Sequence, residues 1–293
     1  MLTAEHRQPA IGAHVDMDAA DYHALKYCSA SNLKAFRRTP LHAWEQMHGP
    51  RKESTPAMRF GTAVHHAVLE PRIFRDRYSV ADQCCATTGK GSRCSNLGRV
   101  MHHGGKWYCG THDPKNGLEA AVAVLAPDDF DKALRIADAV LKHPAAAAVM
   151  AMKIHTEFTR IWRDSATDVL SKGRMDLVCE QGIIGDLKTT EDASREAFER
   201  SIFDYGYWIQ APWYIDAMGA CDFVVIAVEK EAPFAVAVYR ILDDVIDLGR
   251  EEIARLMPRW AECERSGKWP GYSTEPEDVG IPAWAEKRLE RVG

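Results

Sequence analysis

The stretch "GRMDLVCEQGIIGDLKTT", residues 173–190, carries three ionisable side chains inside two apolar runs. Asp176 lies in the first run, and Asp186 and Lys188 lie in the second. Both runs predict β-strands, in which successive side chains point to opposite faces. Residues 186 and 188 therefore share a face, and an antiparallel neighbouring strand can bring residue 176 alongside them.

Two buried carboxylates need a compensating positive charge, because burial of an unpaired carboxylate is costly, and Lys188 alone cannot serve both. Their oxygens suit Mg²⁺ or Mn²⁺. Such an ion can activate a water and stabilise the charge of a phosphodiester transition state, to which the lysine adds a further positive charge. The residues therefore predict metal-dependent phosphodiester hydrolysis. The alternative is a surface pair of aspartates bridged by a lysine, since D-x-K is common by chance.

Composition excludes several classes of protein but does not identify the partner. The 293 residues are 46% hydrophobic and 27% charged, enough for one large domain or two small ones with an extensive core. No uninterrupted apolar stretch of about 18 residues occurs, and the N-terminus lacks a basic-then-apolar signal pattern. We therefore expect a cytoplasmic protein with no membrane partner. The net charge of -5 still permits DNA binding through a local basic surface.

Periodicity divides the chain into segments that we expect to be helical, irregular or strand-rich. Helices are expected over residues 29–77 (with breaks at Pro40 and Pro71), 128–150, 194–218 and 242–267. Strands are expected over 154–190, as three consecutive strands, and over 221–230 and 234–242. The predicted divisions are 1–28 N-terminal segment, 29–81 helical start of the domain, 82–116 insertion, 117–268 core and 269–293 C-terminal tail.

Further motifs flank the opening stretch in a fixed order. "FGTAVHH" contributes Gly61 and His65, and "YWIQAPWY" contributes Gln210 and Tyr214 at a spacing of four. Together with "GRMD" and "DLKTT", they resemble the PD-(D/E)XK nuclease superfamily, and within it the exonuclease VIII (RecE) type, related more distantly to the RecB nuclease domain and lambda-type exonucleases. The resemblance covers about residues 29–80 and 118–262. It implies an α/β (α+β) restriction-endonuclease-like core, with a central mixed sheet flanked by helices.

The resemblance also implies roles for individual side chains. Catalytic roles fall to Asp176, Asp186, Lys188, Gln210 and Tyr214, and the Mg²⁺ or Mn²⁺ ligands would be His65, Glu157, Asp176 and Asp186. Core packing is the alternative for the histidine, glutamine and tyrosine, and His66 is expected to be dispensable. Two residues depart from the family pattern: Met175 stands where proline is expected, and Pro212 should kink the Q-x-x-x-Y helix or lie in its first turn. Neither removes a catalytic group.

Cysteine is concentrated in the Gly- and His-rich segment 82–116. Such clustering without an export signal favours metal binding over disulfides. Cys84, Cys94, Cys109 and His112 have spacings of ten, fifteen and three, which fit a tetrahedral Zn²⁺ site. The segment resembles small phage-associated zinc modules of the form C-x-A-T-T-x-x-G-x-x-C followed by Y-C-x-x-H, which selects Cys84 over Cys85. The spare candidates are His102 and His103, and the alternatives are an iron-sulfur cluster and free thiols.

Charge distinguishes the same segment, because five Lys or Arg residues stand there against two Asp residues, a local +3 in a chain whose remainder is -8. This basic insertion can contact a DNA backbone, or it can pack on the core or on a neighbouring subunit.

Three functions remain open from the sequence. The first is a Mg²⁺-dependent DNA exonuclease, which the resemblance implies to act 5′ to 3′ on duplex ends and to make single strands for a recombination partner such as a single-strand annealing protein. The second is a structure-specific endonuclease, or a nuclease for another nucleic acid. The third is a non-catalytic nucleic-acid-binding protein on the same fold, against which the intact acidic and lysine motifs argue. The resemblance also permits a ring-like homo-oligomer around DNA.

Overall fold

The computed structural model describes residues 9–50, 53–80, 82, 84–96, 98, 100–102, 106–109, 111–112 and 123–282. The helices are α1 Ala19–Ala24, α2 Ala30–Arg38, α3 Pro40–His48, α4 Pro56–Leu69, α5 Pro71–Arg77, α6 Pro127–Lys142, α7 Pro144–Ala151, α8 Arg195–Asp204, α9 Tyr207–Met218 and α10 Asp243–Ser266. The strands are β1 Gly12–His14, β2 Tyr78–Val80, β3 Val100–His102, β4 Lys106–Tyr108, β5 Ala123–Leu125, β6 Lys153–Arg163, β7 Leu170–Cys179, β8 Ile183–Thr190, β9 Asp222–Glu229 and β10 Val236–Arg240.

The helices near the N-terminus begin at residues that satisfy their first backbone donors. The Ser29 side chain accepts a hydrogen bond from the backbone N–H of Asn32 at the start of α2. The Thr39 side chain accepts one from the backbone N–H of His42 at the start of α3. Proline then stands at the first position of α3 and of α5, where a missing N–H removes no helical hydrogen bond. The breaks expected at Pro40 and Pro71 are therefore helix starts.

One mixed sheet organises the described part of the chain. Six strands lie in the order β1-β6-β7-β8-β9-β10; β8 and β9 are parallel, and every other neighbouring pair is antiparallel. One buried cluster joins α2, α3, α9 and α10 to the sheet, and a second joins α4, α6 and α7 to it. This architecture confirms the predicted α/β (α+β) class, a central mixed sheet flanked by helices.

Strands β7 and β8 separate where the acidic motifs lie. Their ladder pairs Leu177 with Gly185 and Val178 with Ile184, and it does not continue to Asp176 and Asp186. On its other side, β7 stays paired with β6, and Met175 lies opposite Phe158 with no exposed surface. A buried residue of a central strand can donate its N–H to the sheet, which a proline cannot do. Met175 therefore functions as a core residue.

Helix α9 contains Pro212 in its interior, beyond its first turn. A proline there leaves the carbonyl of Trp208, four residues earlier, without its helical donor. Gly249 of α10 approaches this carbonyl so closely that a β-carbon on it would lie 1.9 Å from the carbonyl oxygen and 2.6 Å from Pro212 Cγ. The proline and the glycine therefore form one close contact between α10 and α9, the helix that packs on β7.

Helix α10 is the longest described helix, with 24 residues. It buries Ile246, Leu256 and Trp260 on one side, and its other side carries many charged residues. Among the residues that the structure describes, no helix combines the length and apolar character needed to cross a bilayer.

Candidate active site

Asp186 is the most deeply buried carboxylate of the opening motif, with 1% of its surface exposed. Its Oδ1 accepts a hydrogen bond of 2.7 Å from Gln210 Nε2, and the ammonium of Lys188 lies 2.5 Å from its Oδ2. Oδ2 is paired with this ammonium and has no other hydrogen-bond partner among the described residues. A carboxylate oxygen with a single partner keeps a lone pair that can bind a further cation.

Asp176 lies across the gap between β7 and β8. Its Oδ2 accepts a hydrogen bond of 2.9 Å from the backbone N–H of Leu187, in place of a ladder partner, and lies 3.6 Å from Nδ1 of His65. Desolvation, followed by the charge of Asp186, raises the pKa of Asp176 to about 6. Desolvation lowers the pKa of Lys188, but the carboxylates of Asp186 and Asp176 outweigh it and raise that pKa above its ordinary value.

Glu157 completes a second group of ligand atoms. One ligand atom each from His65, Glu157 and Asp176 lies within 4.8 Å of the others, and Arg174 donates a hydrogen bond of 2.6 Å to Glu157 Oε2. Glu157 has φ +50°, a left-handed conformation that is uncommon for a glutamate within a strand, and strained conformations cluster at functional sites. Two carboxylates and an imidazole fit a divalent cation such as Mn²⁺ or Mg²⁺. Asp186 stands outside this group, beside Lys188.

Tyr214 packs against the glycine of the GRMD motif. A β-carbon on Gly173 would lie 3.0 Å from Tyr214 Cε1, so a larger residue at 173 would displace the tyrosine ring. Tyr214 is 9% exposed and, together with His65, Glu157 and Asp176, lines a cleft of about 1000 Å³. Desolvation raises the pKa of Tyr214 well above its ordinary value, so this residue can act as a neutral hydrogen-bonding group.

The sequence interpretation missed two basic residues near this cleft. Arg174 holds Glu157 and also donates to the backbone carbonyl of Met17 at 2.7 Å. It precedes Asp176 by two positions, so the alternation of strand side chains could have indicated it. Lys34 reaches the site from α2, and the sequence contains no local signal for that approach.

The three predicted cysteines and His112 lie together in the insertion. Cys94 Sγ is 3.9 Å from Cys109 Sγ, and the Nδ1 atom of His112 is 3.7 Å from Cys84 Sγ and 3.3 Å from Cys109 Sγ. A tetrahedral zinc site with ordinary bond lengths requires about 3.8 Å between two sulfurs and about 3.6 Å between sulfur and nitrogen. The donor set therefore fits Zn²⁺ in both chemistry and spacing.

The backbone of the insertion orients these candidate ligands. Cys84 is fully buried, whereas its neighbour Cys85 is exposed. Desolvation raises the pKa of the Cys109 thiol, but hydrogen bonds from the backbone N–H groups of His112 and Thr111 outweigh it and bring that pKa to about 6, which favours the thiolate that zinc binds. Of the spare candidates, His102 lies on β3 and His103 lies outside the described residues.

A family profile matches residues 29–279, and its family is described as a PDDEXK-like domain of unknown function (DUF3799). The chain belongs to this family. The match includes the strands and helices that carry the acidic, lysine and glutamine motifs, and it also includes the insertion. The family and its fold support assignment of this PDDEXK-like protein as a nuclease.

One solved structure agrees with the fold. A candidate exonuclease from Eubacterium rectale is 13% identical, with a TM-score of 0.57, and the alignment covers 98% of both chains. The structure of LHK-Exo, an alkaline exonuclease from Laribacter hongkongensis, in complex with dAMP is 11% identical, with a TM-score of 0.39, and the alignment covers 92% of this chain and 96% of that one. The second score is too low to carry an inference. No curated protein matches the chain.

The two adjacent histidines of α4 provide a test of the ligand set. We expect His65→Ala to raise the Mn²⁺ concentration needed for half-maximal activity by tenfold or more, because its Nδ1 is within 3.6 Å of Asp176 Oδ2. His66 is held by Tyr78, 3.0 Å from its Nδ1, so His66→Ala should lower the melting temperature more than the metal affinity. Metal titrations of cleavage and calorimetric Mn²⁺ binding measure both variants. Equal effects on Mn²⁺ affinity would reject His65 as a ligand.

Proposed function

We propose that this PDDEXK-like protein is a divalent-metal-dependent DNA exonuclease that hydrolyses phosphodiester bonds 5′ to 3′ from duplex ends. The observation that carries the proposal is the group of His65, Glu157 and Asp176, whose ligand atoms lie within 4.8 Å of one another near the buried Asp186–Lys188 ion pair. A purely structural ion pair would need only its two partners. Three further ligand groups in the wall of a cleft instead favour a bound cation and an anionic substrate.

The residues of the site would divide the work of hydrolysis. His65, Glu157 and Asp176 would hold the ion, with Asp186 as a further ligand, and Mg²⁺ or Mn²⁺ supplies Lewis-acid chemistry to the phosphodiester and the attacking water. Lys188, whose pKa is raised by its acidic neighbours, remains charged and stabilises negative charge on the phosphate. Gln210 fixes the Asp186 carboxylate by its 2.7 Å hydrogen bond. Tyr214 closes the wall of the cleft beside Gly173.

The insertion has a separate role in this proposal. Cys84, Cys94, Cys109 and His112 bind one structural Zn²⁺ that folds residues 82–116, and the basic residues of this segment contact the DNA backbone. The single strands released by digestion would serve a recombination partner such as a single-strand annealing protein. A homo-oligomer that encircles the duplex would keep the enzyme on its substrate.

A single digestion experiment tests the reaction and its polarity. Linear duplex labelled at either the 5′ or the 3′ end, closed circular duplex, single-stranded DNA and RNA are incubated with the protein and Mg²⁺. Progressive loss of linear duplex, with 5′ label released first as mononucleotide and the circle left intact, is the expected result. Cutting of the circle would indicate an endonuclease, and binding without cutting would indicate a non-catalytic protein.

The carboxylate pair should also destabilise the metal-free protein. We expect Asp176→Asn to raise the free energy of unfolding without divalent metal by on the order of 1 kcal/mol, since it removes the desolvation cost of a buried charge and the repulsion between Asp176 and Asp186. The asparagine oxygen can still accept the hydrogen bond from Leu187. Urea unfolding of both proteins without and with Mn²⁺ provides the measurement. A variant that is less stable than wild type without metal would indicate a structural role for the charge.

A further inference from the structure

The turn between α8 and α9 exposes aromatic rings beside the candidate active site. Tyr207, at the start of α9, lies with its ring centroid 5.0 Å from the Lys188 ammonium, and the Tyr205 ring is a further 5.8 Å away from the Tyr207 ring. Tyr205 is 64% exposed. Burial in the core therefore does not account for a tyrosine at this position. The Tyr205 ring adjoins the Tyr207 ring, which in turn adjoins the ammonium of Lys188.

A second ammonium reaches the same ring from α2. Lys34 Nζ lies 5.5 Å from the Tyr207 centroid, and desolvation, followed by the charge of Lys188, lowers the pKa of Lys34 to about 8. The charge of Asp186 raises the Lys34 pKa in part, but Asp186 is already paired with Lys188, and no carboxylate among the described residues forms an ion pair with Lys34. A partly buried cation next to another cation is unfavourable unless an anion completes the site.

Gly206 allows Lys34, Tyr205 and Tyr207 to lie close together. It has φ +65°, which favours glycine, and a β-carbon on it would lie 3.0 Å from Cδ of Lys34. The glycine thus turns the chain between Tyr205 and Tyr207 and leaves room for the lysine stem. An ammonium and an exposed ring, each within about 6 Å of the Tyr207 ring, match the two parts of a nucleotide, since backbone phosphates bind cations and every base has a stacking face.

We propose that this turn is a nucleotide subsite: the Tyr205 ring stacks on the base next to the scissile bond, and the Lys34 ammonium binds the phosphate of that nucleotide. The proposal rests on the nuclease function and names the part of the substrate that the site recognises. Stacking on an aromatic ring is tolerant of base identity, so the subsite would hold strand ends of any sequence. It would position the phosphate facing Lys188 by fixing the nucleotide beside it.

Chemical changes in the DNA, paired with changes in the protein, test both contacts. Binding of fluorescein-labelled oligonucleotides is measured with Ca²⁺ in place of Mg²⁺, and cleavage is measured with Mg²⁺. An abasic nucleotide or a neutral methylphosphonate is moved through successive positions from each end. At one position the abasic nucleotide should weaken DNA binding by wild type on the order of tenfold. At the same position it should change DNA binding by the Tyr205→Ala variant little, because that variant has no ring to stack on the base. A methylphosphonate at that nucleotide should likewise weaken DNA binding by wild type and change DNA binding by the Lys34→Gln variant little.

Matched variants separate this subsite from a general loss of aromatic or basic surface. Tyr205→Phe and Lys34→Arg keep the ring and the charge, and should retain most of the binding. Phe203→Ala removes a ring that is 66% exposed but stacks on Trp208, with centroids 6.3 Å apart, and should change binding little. Arg38→Gln removes an exposed charge from the same helix as Lys34, where Arg38 contacts Tyr272, and should be similarly neutral.

The outcomes distinguish failure of the subsite from failure of the proposed function. If wild type cuts DNA but no position shows coupling with Tyr205 or Lys34, the subsite is wrong and the nuclease assignment stands. If wild type neither binds nor cuts any DNA or RNA, the nuclease assignment itself is wrong and the subsite falls with it. If Tyr205→Ala changes the oligomeric state by sedimentation and shows no coupling, the ring belongs to a self-association surface, which also overturns the subsite.

Discussion

Asp186→Ala is expected to lower DNA cleavage by a factor on the order of 1000 or more while the protein stays folded. The carboxylate is 1% exposed and lies between Gln210 and Lys188, so its removal takes away a cation-binding oxygen and leaves the ammonium without its partner. A loss of several kcal/mol of transition-state stabilisation corresponds to about this factor. Single-turnover cleavage of end-labelled duplex, together with circular dichroism, measures activity and folding separately.

Lys188→Ala should reduce cleavage to a similar extent, with Mn²⁺ binding largely retained, because the ammonium acts on the phosphate. Glu191→Ala provides the matched control. Glu191 follows β8, has a side chain 76% exposed and pairs with Lys230, so its loss should leave cleavage unchanged. A folded Asp186→Ala protein that cuts at the wild-type rate would contradict the assigned site. Loss of activity in all three variants would point to a general defect in the preparation.

Loss of the proposed zinc should unfold the insertion and leave the sheet intact. Purified protein is expected to contain about one zinc per chain, and Cys109→Ser should contain almost none, because structural zinc contributes about 10 kcal/mol or more to the folding of small metal-bound segments. The insertion is poor in large apolar side chains, and its described buried cluster consists of Cys84, Cys94 and Cys109. Hydrogen–deuterium exchange should become fast in residues 84–112 and stay slow in β7 and β8.

Cys85→Ser is the matched control for this experiment, since Cys85 adjoins a proposed ligand but is exposed. It should keep the zinc, as should Asp186→Ala, whose defect lies at the other metal site. Iron in the purified protein, together with visible absorbance, would indicate an iron-sulfur cluster instead of zinc. Protein without any transition metal would leave the cysteines as thiols. Equal exchange in β7 and β8 after metal loss would show that the insertion supports the whole domain.

The fold was predictable to a large extent because local patterns and the global architecture agree. Alternating apolar residues indicated the strands of the main sheet from β6 onward, and prolines and capping residues indicated where α3 and α5 begin. The family resemblance supplied the mixed sheet and its flanking helices. Strand β1 was not predicted, because three residues paired to the edge of β6 carry too little periodicity to be distinguished from a loop.

The candidate site was predictable only in part. Asp186 and Lys188 are two residues apart on one strand, so alternation alone places them together, and their ion pair follows. Glu157 reaches His65 and Asp176 through a left-handed backbone conformation that has no signature in the sequence. Arg174 could have been inferred from its position on β7. Lys34, Tyr207 and Gly206 could not, since they meet only when α2 packs on the start of α9.

By itself, the sequence determined which chemical groups are available and how they alternate along each element: two acidic residues and a lysine on neighbouring strands, a histidine on a helix, and three cysteines and a histidine in one short segment. Tertiary structure alone decided that β7 and β8 separate at Asp176, and that Lys34 stands over Tyr207 without a carboxylate partner. The physical reason is the distance along the chain over which each interaction acts. Side-chain direction within a strand or helix follows from local backbone geometry, whereas the gap between two strands and the approach of a distant helix depend on packing throughout the core.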